Sequence, residues 1–194
     1  LEVPLVGVLA RMEELGVGVD VAELSRLRDE LTAECDRLRS AVHETAGEEF
    51  NVNSTKQLRE LLFEKLGLTP GKKTKTGYST DAATLERLRG DHPVVEHLLA
   101  YREVEKLRST YGEGLLGEVG PGNRIRATFN QTVARTGRLS SDAPNLHNIP
   151  VRTEAGRAFR RAFVPSAGRM FLVADYNQIE LRCIAHLADD PGLI

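Results

Sequence analysis

Apolar residues in the first half of the chain recur every three or four positions, which is the spacing of amphipathic helices. The clearest run begins after Asp20 and continues to Val42. Asp20 and Glu23 have the spacing of a capping box, and Gly47 supplies a stop signal. The pattern predicts one helix of roughly 25 residues, which should pair with another helix.

The same spacing predicts four shorter helices around this long one. A short strand should follow the first of them, because the residues after Gly16 alternate. The lysine-rich stretch 69–81 has the composition of a loop. The four helices are VPLVGVLARMEEL, a segment from the capping box of Ser54 and Gln57 to Gly67, AATLERLR, and a segment from Pro93 to Gly112.

The pattern changes near residue 115, where glycine and proline interrupt it. RIRATFNQTV then alternates as a strand does, and TGRLSSDAPNLHNIPV has the irregular pattern of a loop. RMFLVAD is a compact apolar run typical of a buried strand, and IELRCIAHLA returns to helical spacing. The sequence therefore predicts a helical part followed by an α/β part.

Composition indicates a globular protein, since 41% of the residues are hydrophobic and 28% are charged. No apolar run approaches the roughly 18 residues that a membrane span needs. The first residue is not Met and no secretory signal pattern follows it, so we expect the chain to be a piece of a longer protein. Cys35 and Cys183 lie in helical patterns and are interpreted as two reduced core thiols of a cytosolic protein.

Charge is distributed unevenly, although the net charge is only −2. Residues 124–169 hold nine arginines against two acidic residues, whereas residues 1–70 are acidic on balance. Such a basic block favours a phosphate-bearing partner, but a solvated basic face explains the charge equally well.

DYNQIELR contains two carboxylates beside the predicted buried strand. Asp175 at the carboxyl end of that strand could be half of a Mg²⁺ site, because Mg²⁺ takes one or two carboxylates together with phosphates and water. The alternative, which the spacing alone favours, is that it only ends the strand or caps the helix that follows. Asn177 and Glu180 have the spacing of a capping box, which does not exclude a second role for Glu180.

Three polar segments carry groups suited to nucleic acid. The first, 135–152, is dense in arginine, asparagine and serine, whose side chains can donate to minor-groove acceptors. The second is the lysine-rich loop, and the third is the helix start NVNS, where free backbone N–H groups suit phosphate. Each signal alone is weak, because most lysine loops are only solvated.

Taken together, these segments resemble the family A DNA polymerases of bacteria. TGRLSSDAPNLHNIPVRTEAGRAFRRAF and VADYNQIELRCIAHLA carry the resemblance, and several earlier segments follow the family in the same order. The resemblance covers essentially the whole chain. The earlier segments are RMEELGVGVD, FNVNSTKQL, GKKTKTGYSTD, HPVVEHLLAYREVEKLRSTY and FNQTVARTGRLSS.

The resemblance implies an α+β fold and three regions. Residues 1–19 would begin the polymerase domain with a palm-associated helix and strand. Residues 20–114 would form a mainly helical, duplex-binding thumb, and residues 115–194 would supply the first strands and helix of an antiparallel-sheet palm. The chain would thus be a fragment of a larger right-hand polymerase fold, without fingers and without the motif that carries the second aspartate.

By the same resemblance, the intact enzyme adds dNTPs to a primer 3′-OH with two Mg²⁺ ions, which activate the hydroxyl and stabilise the leaving group. Asp175 would be one of two catalytic, metal-binding aspartates, and Tyr176 would offer its backbone carbonyl to a metal. Glu180 would lie under the incoming sugar and exclude a 2′-hydroxyl. Gln178 and Ile179 would line the same dNTP pocket.

The resemblance also assigns contacts to primer–template DNA. Arg138 would reach the minor groove at the primer end, with further contacts around it, and the lysine loop and a second turn would follow the phosphates. Two residues one helical turn apart would face the same duplex. The remaining DNA-binding residues are Arg135, Asn145, His147, Asn148 and Arg152; Lys72, Lys73, Lys75, Ser79 and Thr80; Asn51, Asn53 and Ser54; and Arg102 and Lys106.

Three positions depart from the family pattern. His147 stands where Gln is usual, and imidazole cannot copy the donor and acceptor of an amide. Asn177 replaces a usual Ser, and Arg135 replaces a usually small residue, where it could add a DNA contact. Asp189 and Asp190 are interpreted as the polar end of the last helix, not as the missing catalytic partner.

Further expectations concern partners and activity. The expected partners are primer–template duplex and dNTP, and no membrane. The protein is expected to be a monomer in the bacterial cytoplasm, associated with the nucleoid, and to act in replication or repair. The isolated 194 residues are expected to lack polymerase activity. A non-catalytic duplex-binding module is the alternative, and a metal nuclease is disfavoured because few further carboxylates face inward.

Overall fold

The computed structural model describes residues 2–71, 73–74, 77–151 and 153–193. The chain divides into two compact units, residues 1–164 and residues 165–194. Helices and antiparallel strands make up the first unit, and one helix lies in the second. The fold class is α+β, as predicted.

Helices dominate the first unit and confirm the five predicted helical segments. Two of them continue as π-helices. The helical segment that begins at Pro93 therefore runs past Gly112, where the sequence predicted its end. The helices are α1 (Glu2–Leu15), α2 (Val21–Ala46), α3 (Thr55–Arg59) with a π-helix (Glu60–Lys65), α4 (Ala82–Arg87), α5 (Pro93–Leu107) with a π-helix (Arg108–Glu113), α6 (Gly114–Gly117), a 3₁₀-helix (Leu146–Asn148) and α7 (Glu154–Arg161).

The described residues contain eight short strands in three antiparallel sheets, with the orders β4-β5-β1-β8, β2-β3 and β6-β7. The lysine-rich stretch and TGRLSSDAPNLHNIPV, both predicted as loops, contain strands, and the single strand predicted over RIRATFNQTV is two strands. The strands are β1 (Val17–Val19), β2 (Lys73–Thr74), β3 (Gly77–Tyr78), β4 (Val119–Gly120), β5 (Arg124–Ile125), β6 (Thr128–Asn130), β7 (Ser140–Asp142) and β8 (Phe163–Val164).

Helix α2 begins and ends where its signals predicted. The Asp20 carboxylate accepts the N–H of Glu23 at 3.0 Å, and Gly47 ends the helix in the left-handed conformation. The other half of the predicted capping box is wrong: Glu23 pairs with Arg26, and the Asp20 N–H donates to the carbonyl of Ala162. The start of α2 is thereby tied to the end of α7.

Two hydrophobic clusters form the core, and α2 contributes to both. The first lies between α2, α3, α4 and α5, and the second joins the start of α2 to the sheet and to α7. Leu98 and Val42 belong to the first, and Leu24 and Phe159 to the second; all four are fully buried. A long helix shared by two cores fixes α5 relative to the strands.

The second unit differs most from the sequence prediction. Its helix α8 (Ile179–Ala188) lies where expected, but residues 169–175, predicted as a buried strand, form neither helix nor strand. Met170, Leu172 and Val173 are about nine-tenths exposed. A strand needs a neighbour to satisfy its backbone N–H and C=O groups, and this run pairs with none of the eight strands.

The two cysteines are free, as predicted, but only Cys35 is a core thiol, since Cys183 is exposed. The Cys35 Sγ lies 3.3 Å from the carboxylate of Glu105, which also pairs with Arg108. Burial, and then the neighbouring Glu105, raise the pKa of the Cys35 thiol to about 11.

We therefore expect a disulfide reagent at pH 8 to modify one thiol rapidly in the folded chain. The thiolate is the nucleophile, so a buried thiol of raised pKa reacts slowly. Absorbance of the released chromophore should show that one thiol per chain reacts rapidly, and this fast reaction should be absent in Cys183→Ser. In denaturant, both thiols of the unmutated chain should react. Rapid reaction of both thiols without denaturant would contradict the burial of Cys35.

Candidate nucleic-acid interface

A groove of about 430 Å³ brings together predicted DNA-binding residues from distant parts of the sequence. Lys106 of α5 lines one side, and Asn145 and Asn148 of the 3₁₀-helix segment line the other. All three side chains are exposed. One cation faces two amides that can donate and accept, a combination suited to a nucleic-acid strand.

The segment that carries the two asparagines is held by its own polar groups. The buried Ser141 hydroxyl donates to the carbonyl of Pro144 at 3.0 Å and accepts the N–H of Leu146. Asn145 caps the 3₁₀-helix by accepting the N–H of His147 at 3.1 Å. The exposed His147 ring lies 6.3 Å from the ring of Phe129 in β6.

Two more predicted contacts, Arg135 and Arg138, lie between β6 and β7 with exposed side chains. Arg152 falls outside the described residues. Other arginines of the basic block have a role that the charge pattern did not suggest. Arg124 and Arg126 donate to backbone carbonyls at the end of α1, so part of the positive charge holds the fold together.

The lysine-rich stretch contains the paired strands β2 and β3, and the Tyr78 ring of β3 lies 5.7 Å from the ring of Phe63 in the π-helix after α3. Lys73 is exposed and its Nζ lies 6.0 Å from the ring centre of Tyr78, while Lys72 and Lys75 fall outside the described residues. The Ser79 hydroxyl accepts the N–H of Asp81. The Thr80 side chain is buried, and its carbonyl accepts from Arg102. Thr80 is thus less available to a phosphate than was predicted.

Helix α5 meets the third predicted segment through Tyr101. The Asn53 amide donates to the Tyr101 hydroxyl at 3.2 Å, and the Asn51 side chain accepts the N–H of Asn53. Ser54 caps α3 by accepting the N–H of Gln57, whose own side chain accepts from Asn51 and not from Ser54.

Three residues within two turns of α5 therefore face the three polar segments. Tyr101 bonds the Asn51–Ser54 turn, Arg102 bonds Thr80 of the lysine-rich stretch, and Lys106 lines the groove with the 3₁₀-helix segment. Burial lowers the pKa of Arg102. Arg102 is consequently a half-buried link between elements, whereas Lys106 is an exposed cation.

The DYNQIELR segment lies in the second unit. Asp175 and Tyr176 are exposed in the turn before α8, and Ile179 is the first residue of the helix. The predicted cap is wrong: Gln178, in the left-handed conformation, precedes the helix, and Asn177 accepts from Arg182 through its carbonyl. Glu180 is then the second helical residue and not the third.

The oxygen atoms of this segment supply only part of the coordination that a hard divalent cation needs. The Asp175 carboxylate and the Tyr176 carbonyl are oxygen ligands of the kind that Mg²⁺ prefers. Among the described residues, no three His, Cys, Asp or Glu side chains gather into a metal-binding group. The segment thus offers Asp175 as a candidate ligand but does not complete a metal site.

Comparison with known proteins identifies the class to which this fold and these polar segments belong. The profile of DNA polymerase family A matches residues 21–194, nearly the whole chain. The chain belongs to DNA polymerase family A.

The relatives within this family are individual bacterial enzymes. The chain is 52% identical to DNA polymerase I of Bacillus subtilis and 53% identical to that of Geobacillus stearothermophilus, over 100% of its own length and 22% of theirs. It is 52% identical to the thermostable DNA polymerase I of Thermus thermophilus, of which it covers 24%. The chain thus spans about a fifth to a quarter of the relatives that it matches.

A solved structure extends the likeness to three dimensions. The POL domain of Pol1 from M. smegmatis, in complex with DNA primer-template and dNTP, superposes with a TM-score of 0.89 at 46% identity. The match covers 100% of this chain and 35% of that one. No helix in the described part of the chain has the length and apolar character to cross a membrane.

Proposed function

We propose that this chain is the duplex-binding and first palm segment of an enzyme that extends a primer on a DNA template. The similarity of this chain to part of a polymerase domain solved in complex with DNA primer-template and dNTP carries this proposal. The groove between Lys106 and the two asparagines adds a local surface of suitable chemistry.

In this proposal, residues 20–114 form the thumb and residues 115–194 begin the palm. The exposed Lys106, Lys73 and Arg138 attract and position the phosphates, and Asn145, together with Asn148, contacts base and sugar edges. Arg102 and Thr80 act through the hydrogen bond that ties the end of the lysine-rich stretch to α5.

Asp175 and Tyr176 provide oxygen ligands for Mg²⁺, which when bound lowers the pKa of the primer hydroxyl and neutralises charge on the leaving pyrophosphate. Glu180, the second residue of α8, follows them in the sequence and is the proposed contact to the dNTP sugar. Gln178 and Ile179 line the same proposed dNTP pocket. The site requires a second carboxylate from outside these residues.

Duplex binding by the 194-residue chain tests the proposal. In fluorescence anisotropy with a labelled primer–template, log affinity should fall linearly with log salt, because binding releases counterions. Lys106→Ala should weaken binding and reduce the slope by about one. Lys65→Ala removes the same charge at an ion pair with Glu48 outside this groove and is the matched control.

Equal effects of the two lysine variants would argue against the groove, and salt-independent binding would argue against phosphate contacts. The chain alone should bind duplex without extending it, since only one carboxylate of the site is present. Extension of a primer by the isolated chain, absent in Asp175→Asn, would overturn this part of the proposal.

A further inference from the structure

Three consecutive backbone carbonyls beside the groove are each held by a side chain from a neighbouring element. Tyr111, in the π-helix after α5, donates its hydroxyl to the carbonyl of Asn148. Arg160 of α7 donates to the carbonyls of Ile149 at 2.9 Å and Pro150 at 3.3 Å. We call Tyr111 and Arg160 the carbonyl clamp.

Tyr111 anchors the clamp in the core, whereas Arg160 is an exposed residue of α7. Tyr111 is only 6% exposed, and its ring lies 5.9 Å from the ring of the fully buried Phe159. On the α7 side, the backbone of Gly156 approaches Pro150 so closely that an added Cβ would lie 2.3 Å from the Pro150 carbonyl oxygen. The backbone from Asn148 to Pro150 is therefore held in close contact with Tyr111 and with α7.

Outward groups on the same short stretch are the proposed DNA contacts. Asn145, His147 and Asn148 are exposed, while the carbonyl of Asn148 turns toward Tyr111. Tyr111 also lines the groove with Lys106. Moreover, π-helical turns are rare and occur frequently at functional sites.

We infer that Tyr111 and Arg160 are positioning residues for duplex binding: they fix the 145–150 segment so that its amides meet the DNA strand in the groove. This inference rests on the proposed function. Neither residue needs to touch DNA, because each acts through the backbone that it holds. Their effect is on the geometry of the contact and not on the charge of the surface.

Two conservative variants separate this role from charge and from packing. Tyr111→Phe keeps the ring against Phe159 and removes only the hydroxyl. Arg160→Lys keeps the positive charge but loses the planar fork that reaches two carbonyls. Each should lower duplex affinity about fivefold, the factor of one ordinary hydrogen bond, with an unchanged slope of log affinity against log salt.

Hydrogen exchange supplies the second readout in the free chain. The amides of Leu146 and His147, which donate to Ser141 and Asn145, should exchange about fivefold faster in Tyr111→Phe. Val42→Ala, a core truncation in the other hydrophobic cluster, is the control and should leave both the affinity and these amides unchanged.

The outcomes distinguish the clamp from the proposed function. Folded variants with wild-type affinity would overturn the clamp while the proposed function stands. A salt slope reduced by about one in Arg160→Gln, which removes the positive charge, would also overturn it, since Arg160 would then be a phosphate contact. Failure of the wild-type chain itself to bind duplex would defeat the proposed function, and the inference with it.

Discussion

Asp175→Asn should reduce primer extension by at least about a hundredfold when this chain replaces the matching segment of DNA polymerase I from Geobacillus stearothermophilus. The two sequences are 53% identical along the whole chain, so the exchange preserves the surrounding fold. The substitution keeps the size of the side chain but removes a charged oxygen ligand. Loss of even a group that supports a metal ligand commonly costs 10–100-fold, so loss of the ligand itself should cost more.

Asp189→Asn is the matched control for this loss. Asp189 ends α8 in the left-handed conformation, which Asn adopts readily, so the same change of chemistry should leave extension nearly unchanged. Duplex affinity should be similar in both variants, because the proposal assigns Asp175 to the reaction and not to duplex binding. Comparable rates for Asp175→Asn and Asp189→Asn would remove Asp175 from the proposed site.

Phe159→Ala should lower the free energy of unfolding by about 3–5 kcal/mol, the usual cost of deleting a fully buried aromatic ring. Phe159 has no exposed surface, belongs to the cluster that includes Leu24 and Ile125, and supports the ring of Tyr111. Urea denaturation followed by circular dichroism measures the change.

Phe171→Ala provides the comparison, since Phe171 is half exposed and lies in the unit 165–194. Its truncation should cost less than about 1 kcal/mol. Equal losses in the two variants would mean that the cluster around Phe159 does not stabilise the fold as its burial indicates.

The helices were predictable because their signals are local. The periodic leucines of α2, the cap at Asp20 and the stop at Gly47 act within a few residues of each other. The same reasoning failed for residues 169–175, because burial of a strand depends on a distant neighbour that no local pattern specifies. Two-residue strands such as β2 and β3 are likewise too short to show alternation.

The sequence indicated candidate residues whose own side chains have suitable chemistry, and it did not indicate residues that hold the backbone. Lys106 and Asn145 carry recognisable chemistry, and the groove brings them together. Tyr111, by contrast, had the spacing of a core residue, and its bond spans 37 positions to Asn148. Arg160 was counted as part of a basic block, although its guanidinium holds two carbonyls.

Primer extension by the unmutated chimera tests the central claim most directly. If this chain is the thumb and first palm segment of a DNA polymerase, the purified chimera should extend a labelled primer with dNTPs and Mg²⁺ at a rate within about tenfold of the parent enzyme, a loss equivalent to about 1.4 kcal/mol. A folded chimera that binds primer–template with the affinity of the parent yet adds no nucleotide would contradict the claim.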